Sequence, residues 1–138
     1  IYLFKGDAPR EDFAEVLTGL PRLGFKLLGK KFMPSYPFEE GYFRPMALQV
    51  RDAVDMPLVF LGGVNNLSTI HRAMNDGFDF VAMGRAVLRE PDLLLRMQDG
   101  TQTEGNCIHC NRCMVSIYSG SRCVVDHPEP ILSSGPVA

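Results

Sequence analysis

Cysteine residues are concentrated in one short stretch, CIHCNRC, which contains Cys107, Cys110 and Cys113, and Cys123 follows after nine intervening residues. Three thiolates separated by two residues each can hold one corner of an iron-sulfur cubane, while a fourth ligand comes from downstream. Tetrahedral zinc sites more often use two separated C-x2-C pairs, so the trio fits zinc less well. The four cysteines are therefore the predicted metal ligands, and an iron-sulfur cluster, zinc and reduced thiols without metal all remain open.

Two glycine turns form a second candidate site. The apolar run PLVFL leads into Gly62 and Gly63, and the run FDFVAM leads into Gly84 and Arg85. Short apolar runs without alternation are typical of parallel strands that are covered on both faces, and ligands bind at the carboxyl ends of such strands. Glycine lets backbone N–H groups approach phosphate oxygens, and arginine adds a charged donor fork. These four residues are the predicted phosphate-binding residues.

The elements that position the turns are two helices and the two strands. The segment LSTIHRAMNDG, between the turns, places Leu67, Ile70, Ala73 and Met74 on one helical side, with Gly77 where a left-handed cap is expected. A preceding helix is predicted through YFRPMALQVRDAV. Its apolar stripe consists of Phe43, Met46, Ala47, Val50 and Val54. The order helix, strand, helix, strand with short connections predicts a right-handed parallel α/β layer.

The amino-terminal part is less regular. A helix capped by Asp7 is predicted, with an apolar face that extends to Leu20, and Pro21 is expected to end it. The following run LGFKLLGKKFM predicts either a short amphipathic helix or a packed loop. The segment SYPFEEGYFRP contains several prolines and a glycine, so we expect irregular structure there.

Composition excludes several classes of protein. The chain has 138 residues, 46% of them hydrophobic, and a net charge of −2, which is typical of a soluble globular domain. The charge balance argues against nucleic-acid binding. No apolar run reaches the roughly 18 residues of a membrane span, and the first residues lack the features of a signal peptide. We therefore expect a cytoplasmic protein in which cysteines stay reduced.

A family resemblance rests on the segment PLVFLGGVNNLSTIHRAMNDGFDFVAMGRAVLREPDLLLRM, and most specifically on its part DFVAMGRAVLREPDL. The segment resembles the end of the barrel in NADH:flavin oxidoreductases of the old yellow enzyme type, the group that includes 2,4-dienoyl-CoA reductase and trimethylamine dehydrogenase. The resemblance implies an α/β fold, the C-terminal portion of a TIM (β/α)8 barrel. Such a barrel takes about 250 residues. Because the chain is shorter and begins with Ile1, we expect it to be part of a longer protein.

The resemblance also implies a function. Gly62, Gly63, Gly84 and Arg85 would hold the phosphate of FMN, NAD(P)H would reduce the flavin, and the flavin would reduce an electron-poor alkene such as an α,β-unsaturated carbonyl compound. The cysteine segment stands where related enzymes bind a [4Fe-4S] cluster, with a shorter interval before the fourth cysteine. No catalytic residue is expected in this chain, because the family's earlier strands supply them. The predicted segments are an FMN-binding barrel part (1–100), a cysteine-rich segment (101–126) and a loose tail (127–138).

Two other interpretations use the same residues. A non-catalytic α/β scaffold with a zinc-binding interaction tail would explain the cysteines, and another phosphate-binding TIM-barrel enzyme would explain the glycine turns but not the cysteines. The expected partners are a small-molecule substrate and no nucleic acid or membrane. A barrel portion would also expose apolar faces, so self-association is expected.

Overall fold

The computed structural model describes residues 5–118 and 120–128. The chain divides into two compact units, one formed by residues 1–37 together with 108–138, the other by Phe38–Cys107. The predicted loose tail lies outside the described residues except for His127 and Pro128. The predicted segments 1–100, 101–126 and 127–138 stay predictions.

The Phe38–Cys107 unit contains the predicted strand-helix-strand arrangement. Its elements in chain order are α3 (Arg44–Ala53), β1 (Val59–Phe60), α4 (Leu67–Asn75), β2 (Phe80–Val81), α5 (Arg85–Arg89) and α6 (Leu93–Gln98). The two strands pair in parallel, with Val59 opposite Phe80 and Phe60 opposite Val81. The prediction of two parallel strands joined by a helix is confirmed, and their assignment to a barrel stays a prediction.

One face of this strand pair carries the core of the unit. Phe60 is 1% exposed, and its ring centroid lies 5.2 Å from that of Phe78. Val64 and Ala73 complete this buried cluster. A second cluster behind it consists of Ala86, Leu93 and Met97. Helix α4 contributes Ala73 to the first cluster, and α5 and α6 supply the second.

The other face of the strand pair is open in the part of the chain that the structure describes. Val59 is 53% exposed, Leu61 54% and Phe80 61%. Side chains alternate across a strand, so covering the Phe60 face leaves these three on the opposite side. This exposed apolar face agrees with the expectation that a barrel portion exposes apolar surface, and the barrel and self-association stay predictions.

The helices of this unit are tied together by a bidentate ion pair. Arg44, at the start of α3, donates from Nε to Asp76 Oδ2 at 2.6 Å and from Nη2 to Oδ1 at 2.7 Å. These hydrogen bonds hold the pKa of Asp76 below its ordinary value. Asp76 is the C-terminal cap of α4, so the pair fixes two helices against each other. Gly77 follows with φ of +90°, as predicted.

In α3 and α4, some residues of the predicted apolar face are exposed instead of packing on the core. On α3, Met46 and Val50 are more than half exposed, whereas Ala47 and Leu48 pack on the core. Met74 on α4 is also exposed, while Ala73 beside it is buried. The core-facing side of α3 therefore includes Ala47 from the predicted stripe and Leu48 from outside it.

The other unit contains α1 (Arg10–Val16), α2 (Gly19–Phe32) and a 3-10 helix over Arg112–Tyr118. The predicted Asp7 cap is wrong, because the cap position is Pro9. The prediction that Pro21 ends a helix is also wrong. The break falls at Leu17, which is extended, and Pro21 lies in the first turn of α2, where a missing N–H costs no hydrogen bond. No helix in the described ranges is long and apolar enough to cross a membrane.

We predict that Phe60→Ala lowers the unfolding free energy of the 138-residue chain by about 3 to 5 kcal/mol, because it leaves a cavity against Phe78. Urea unfolding measures the loss. Phe80→Ala is the matched control: the same side chain is removed from the open face, and we expect less than about 1 kcal/mol. Equal losses in the two variants would contradict the core described above.

Candidate phosphate-binding edge and cysteine segment

The parallel pairing brings the two glycine turns to the same edge of the strand pair. Gly62 and Gly63 follow β1 after one residue, and Gly84 and Arg85 follow β2 after two residues. The Ala82 N–H donates to the Phe60 carbonyl at 2.8 Å, which carries the pairing up to this edge. All four predicted residues therefore lie at carboxyl strand ends, where α/β folds bind ligands.

The turn after β1 needs glycine for its own packing. Gly62 has φ of +118°, and a Cβ there would lie 2.5 Å from the Phe43 ring. Gly63 has φ of +74°, and a Cβ would lie 2.7 Å from the Glu39 carbonyl oxygen. Both requirements arise from contacts within the protein. These glycines are thus explained without a ligand, and their contact with phosphate stays a prediction.

The turn after β2 is open. Gly84 has no atom within 4 Å of the position that a Cβ would occupy. It precedes α5, and the buried Ala86 anchors that helix to the core while half-buried Arg85 stands beside the turn. A glycine without a packing role leaves space for a ligand to approach the backbone. This turn fits an anionic group better than the turn after β1.

The two turns also differ in electrostatics. Beyond Gly63, the backbone N–H of Asn65 donates to Glu40 Oε2 at 3.4 Å. Glu40 Oε1 and Asn65 Oδ1 are buried, and neither has a hydrogen-bond partner among the described residues. A carboxylate and an amide oxygen without donors disfavour an anion next to them. An anion is therefore less disfavoured at Gly84 and Arg85 than beside Gly63, and phosphate binding at either turn stays a prediction.

A clamp that sequence reasoning missed holds the β1 turn in place. Asn65 is 3% exposed; its Nδ2 donates to the Gly105 carbonyl at 2.7 Å, and the Gly105 N–H donates to the Asn65 carbonyl at 2.8 Å. A Cβ at Gly105 would lie 2.6 Å from Asn65 Oδ1, so glycine is required there. The NN pair in GGVNN is a signal for local turn chemistry, but nothing in the sequence indicates a partner forty residues away.

Glu90 anchors the segment that leads to the cysteines. Its carboxylate accepts from Arg96 Nη2 at 2.7 Å, Gln102 Nε2 at 3.0 Å and Asn106 Nδ2 at 2.8 Å. Burial raises the pKa of Glu90, but hydrogen bonds from Gln102, Asn106 and Arg96 outweigh it and leave this pKa below its ordinary value. The ionised carboxylate therefore stabilises the path of residues 102–106.

The four predicted cysteine ligands fall in different parts of the structure. Cys107 packs against the Ala86 cluster of the Phe38–Cys107 unit, whereas Cys110, Cys113 and Cys123 belong to the other unit. Among the described residues, no disulfide joins them, and no three cysteine, histidine or acidic side chains stand close enough to hold a metal ion. The metal ligand set stays a prediction.

The backbone around Cys110 is held by its neighbours. His109 and Asn111 both have positive φ, 56° and 58°. Asn111 is buried, and its Nδ2 donates to the Asp7 carbonyl at 2.9 Å, while the Asp7 N–H donates to the His109 carbonyl at 3.0 Å. The spacing of the cysteines does not indicate these hydrogen bonds, because their partner, Asp7, lies in the amino-terminal segment.

Comparison with known proteins points to redox enzymes. The chain is 49% identical over 125 residues to 4,4'-dithiodibutanoate disulfide reductase of Rhodococcus erythropolis, covering 91% of this chain and 31% of that protein. It is 29% identical over 76 residues to NADH oxidase of Thermoanaerobacter brockii, covering 54% of this chain and 12% of that protein. The chain thus spans about a third of the length of the first relative. No family model matches the chain, and no solved structure matches it significantly.

Both relatives are oxidoreductases by name, and the chain is similar to a segment of each. The expectation of an oxidoreductase segment agrees with these names. Neither name includes FMN, an iron-sulfur cluster or an alkene substrate, so these three stay predictions.

We predict that Gly63→Ala and Gly84→Ala differ sharply in stability. Gly63→Ala places a side chain at positive φ against a backbone oxygen, so we expect a loss of at least about 2 kcal/mol in urea unfolding. Gly84→Ala meets open space and is expected within about 0.5 kcal/mol of the parent. A large loss for Gly84→Ala would contradict the open turn.

We predict that the stability contributed by Glu90 depends on pH. Because its folded pKa is lowered, the contribution is fully present above the unfolded pKa of about 4.3 and is lost as pH falls through the folded value. The stability difference between the parent and Glu90→Gln should therefore be largest near neutral pH and shrink in acid. Exposed Glu104→Gln is the control and should show only a small difference in stability from the parent. A pH-independent difference for Glu90→Gln would contradict the network.

Proposed function

We propose that this chain is a segment of an NAD(P)H-dependent flavin oxidoreductase of the old yellow enzyme type, in which Gly84 and Arg85 bind the phosphate of FMN. The observation that carries the proposal is the open Gly84 turn at the carboxyl edge of the parallel pair, with Arg85 beside it. The resemblance of DFVAMGRAVLREPDL to that family and the names of the two relatives support it.

The proposal includes a TIM (β/α)8 barrel as the complete fold. Val59, Leu61 and Phe80 form an apolar strand face that is more than half exposed in the described chain. Parallel strands are normally covered on both faces. In a barrel, neighbouring strands would enclose this face, and the chain covers only 31% of its 49% identical relative, which leaves ample length for them.

The residues at the carboxyl ends of β1 and β2 would have different roles in holding FMN. FMN, when bound, would supply the two-electron chemistry. The Arg85 guanidinium would hold phosphate oxygens through its donor fork, and the Gly84 turn would let the backbone approach them. Gly63 fixes the neighbouring β1 turn, and the Asn65–Gly105 clamp keeps that turn from moving.

We propose an organic disulfide as the electron acceptor. The relative that is 49% identical is named for reduction of 4,4'-dithiodibutanoate disulfide. In the balanced reaction, the S–S bond breaks, NADH and one proton supply two electrons and two hydrogens, and two thiols and NAD⁺ are formed. The second candidate is the electron-poor alkene that the family resemblance implies, in which hydride and a proton add across the C=C bond.

We predict that Arg85→Ala in the full-length protein lowers FMN retention by at least about tenfold, because a charged phosphate contact is lost. The dissociation constant is measured by fluorescence titration of FMN into apoprotein. Arg85→Lys keeps the positive charge but lacks the guanidinium donor fork, so its FMN dissociation constant should fall between those of the parent and Arg85→Ala. Arg72→Ala, which removes an exposed arginine of α4, is the control and should bind as the parent does. Unchanged affinity in Arg85→Ala would contradict the assignment.

The acceptor is identified by anaerobic assays with the full-length protein. With 4,4'-dithiodibutanoate and NADH, we expect two thiols per NADH oxidised. A cyclohexenone assay under the same conditions tests the alkene. Turnover of the enone without the disulfide would overturn the disulfide proposal and leave the flavin proposal in place, and turnover of neither would count against both.

A further inference from the structure

Helix α2 carries an apolar face that no part of the described chain covers. Leu20, Leu23 and Leu27 follow each other at intervals of three and four residues, so they lie along one side of the helix, and Leu28 widens that side. Leu20 is 83% exposed and Leu27 76%, and the other two are more than half exposed. These four leucines form the apolar face of α2. A contiguous row of exposed apolar side chains indicates an interaction surface.

The opposite side of α2 is the one that packs within the protein. Gly29 is buried and Phe25 is half-buried, and both line a cavity together with residues of α1. None of the four leucines lines that cavity. The apolar face of α2 is therefore turned away from α1, and it is convex because a single helix forms it.

The same helix is strongly basic. It contains four cations and no acidic residue, although the chain as a whole has a net charge of −2. The cations are Arg22, Lys26, Lys30 and Lys31. In the part of the chain that the structure describes, none of these four side chains makes a hydrogen bond or an ion pair. An occupant of the apolar face thus meets positive charge, which favours an anionic occupant.

The helix dipole explains only part of this charge. Lys30 and Lys31 lie in the last turn of α2, where cations stabilise a helix. Arg22 lies near the amino-terminal end and Lys26 near the middle, where the dipole gives a cation no such benefit. The positive charge along the whole helix therefore indicates a partner outside the helix.

Shape and charge together favour a lipid surface as that partner. A second copy of α2 would place cations against cations. A protein partner needs a groove shaped for the convex row of leucines, whereas a bilayer adapts to any helix that lies on it. Leucines on one side and lysines and arginines on the other are typical of helices that lie in the membrane interface, and anionic headgroups supply the counter-charges.

We propose that α2 docks on an anionic phospholipid surface. The apolar face of α2 lies at the boundary between headgroups and acyl chains, and Lys26, Lys30 and Lys31 lie against lipid phosphates, with their aliphatic stems along the apolar region. A helix that lies on a membrane does not have to be long enough to cross it. The proposal departs from the expectation of no membrane partner, which depended on the absence of a spanning segment, and it does not depend on the flavin site.

The test measures co-flotation of the full-length protein with vesicles of phosphatidylcholine and phosphatidylglycerol in equal amounts. We expect binding at least about tenfold stronger than to vesicles of phosphatidylcholine alone, and weaker binding as salt is added, because salt screens the headgroup charge. Equal binding to both vesicles would overturn the proposal. No binding to the anionic vesicles would also overturn it, and would leave an acidic protein surface or another segment of the full-length protein as the occupant.

Leucine variants test whether the apolar face of α2 makes the contact. Leu23→Ser combined with Leu27→Ser should lower binding to the anionic vesicles at least about tenfold, because apolar area is lost from the interface. Leu23→Phe combined with Leu27→Phe keeps the face apolar and should bind as the parent does. Leu95→Ser, which removes an exposed leucine of α6, is the matched control and should also bind as the parent does. The proposal is wrong if the double serine variant keeps the parent's binding.

A lysine variant separates the charge of α2 from the charge of the whole protein. Lys30→Gln should weaken binding to the anionic vesicles about fivefold, the effect of one cation at such a surface. Arg72→Gln removes one exposed cation of α4 and should leave binding unchanged. Equal losses in these two variants would contradict docking through α2.

Discussion

The parallel pairing of β1 with β2 is the interaction on which the candidate flavin edge depends. Parallel strands point the same way, so pairing Phe60 with Val81 places both following turns at one edge. The helix between the strands, α4, must then pack on the face that Phe60 covers. With that helix in place, the turn after β1 is filled by protein groups and the turn after β2 is left open. The difference between the two turns thus follows from how their surroundings are packed.

Local patterns predicted the strand pair because they depend on residues that are close in sequence. The apolar runs, the helix between them and the left-handed Gly77 all follow from spacing and backbone preference. Facing directions were harder. Met46 and Ala47 are adjacent and both apolar, and Ala47 faces the core of a structure in which Arg44 of the same helix pairs with Asp76. That pair joins positions 32 residues apart, which no local pattern reveals.

The amino-terminal helices illustrate the ambiguity of proline. Pro21 was expected to end a helix, but proline is equally suited to the first turn of a helix. In the structure, Pro21 lies in the first turn of α2. The cysteine segment illustrates a different limit. Spacing indicates which side chains have the chemistry of ligands, yet the position of Cys110 is set by Asn111 and Asp7, about a hundred residues apart. The candidate site residues were therefore identifiable by type, and their surroundings were not.

We propose that the chain belongs to an FMN-dependent oxidoreductase. An absorbance spectrum of the purified full-length protein, with mass analysis of the released cofactor and analysis for iron, sulfide and zinc, tests it most directly. We expect flavin bands and about one FMN per polypeptide. A colourless protein that contains zinc would contradict it and favour a zinc-binding scaffold.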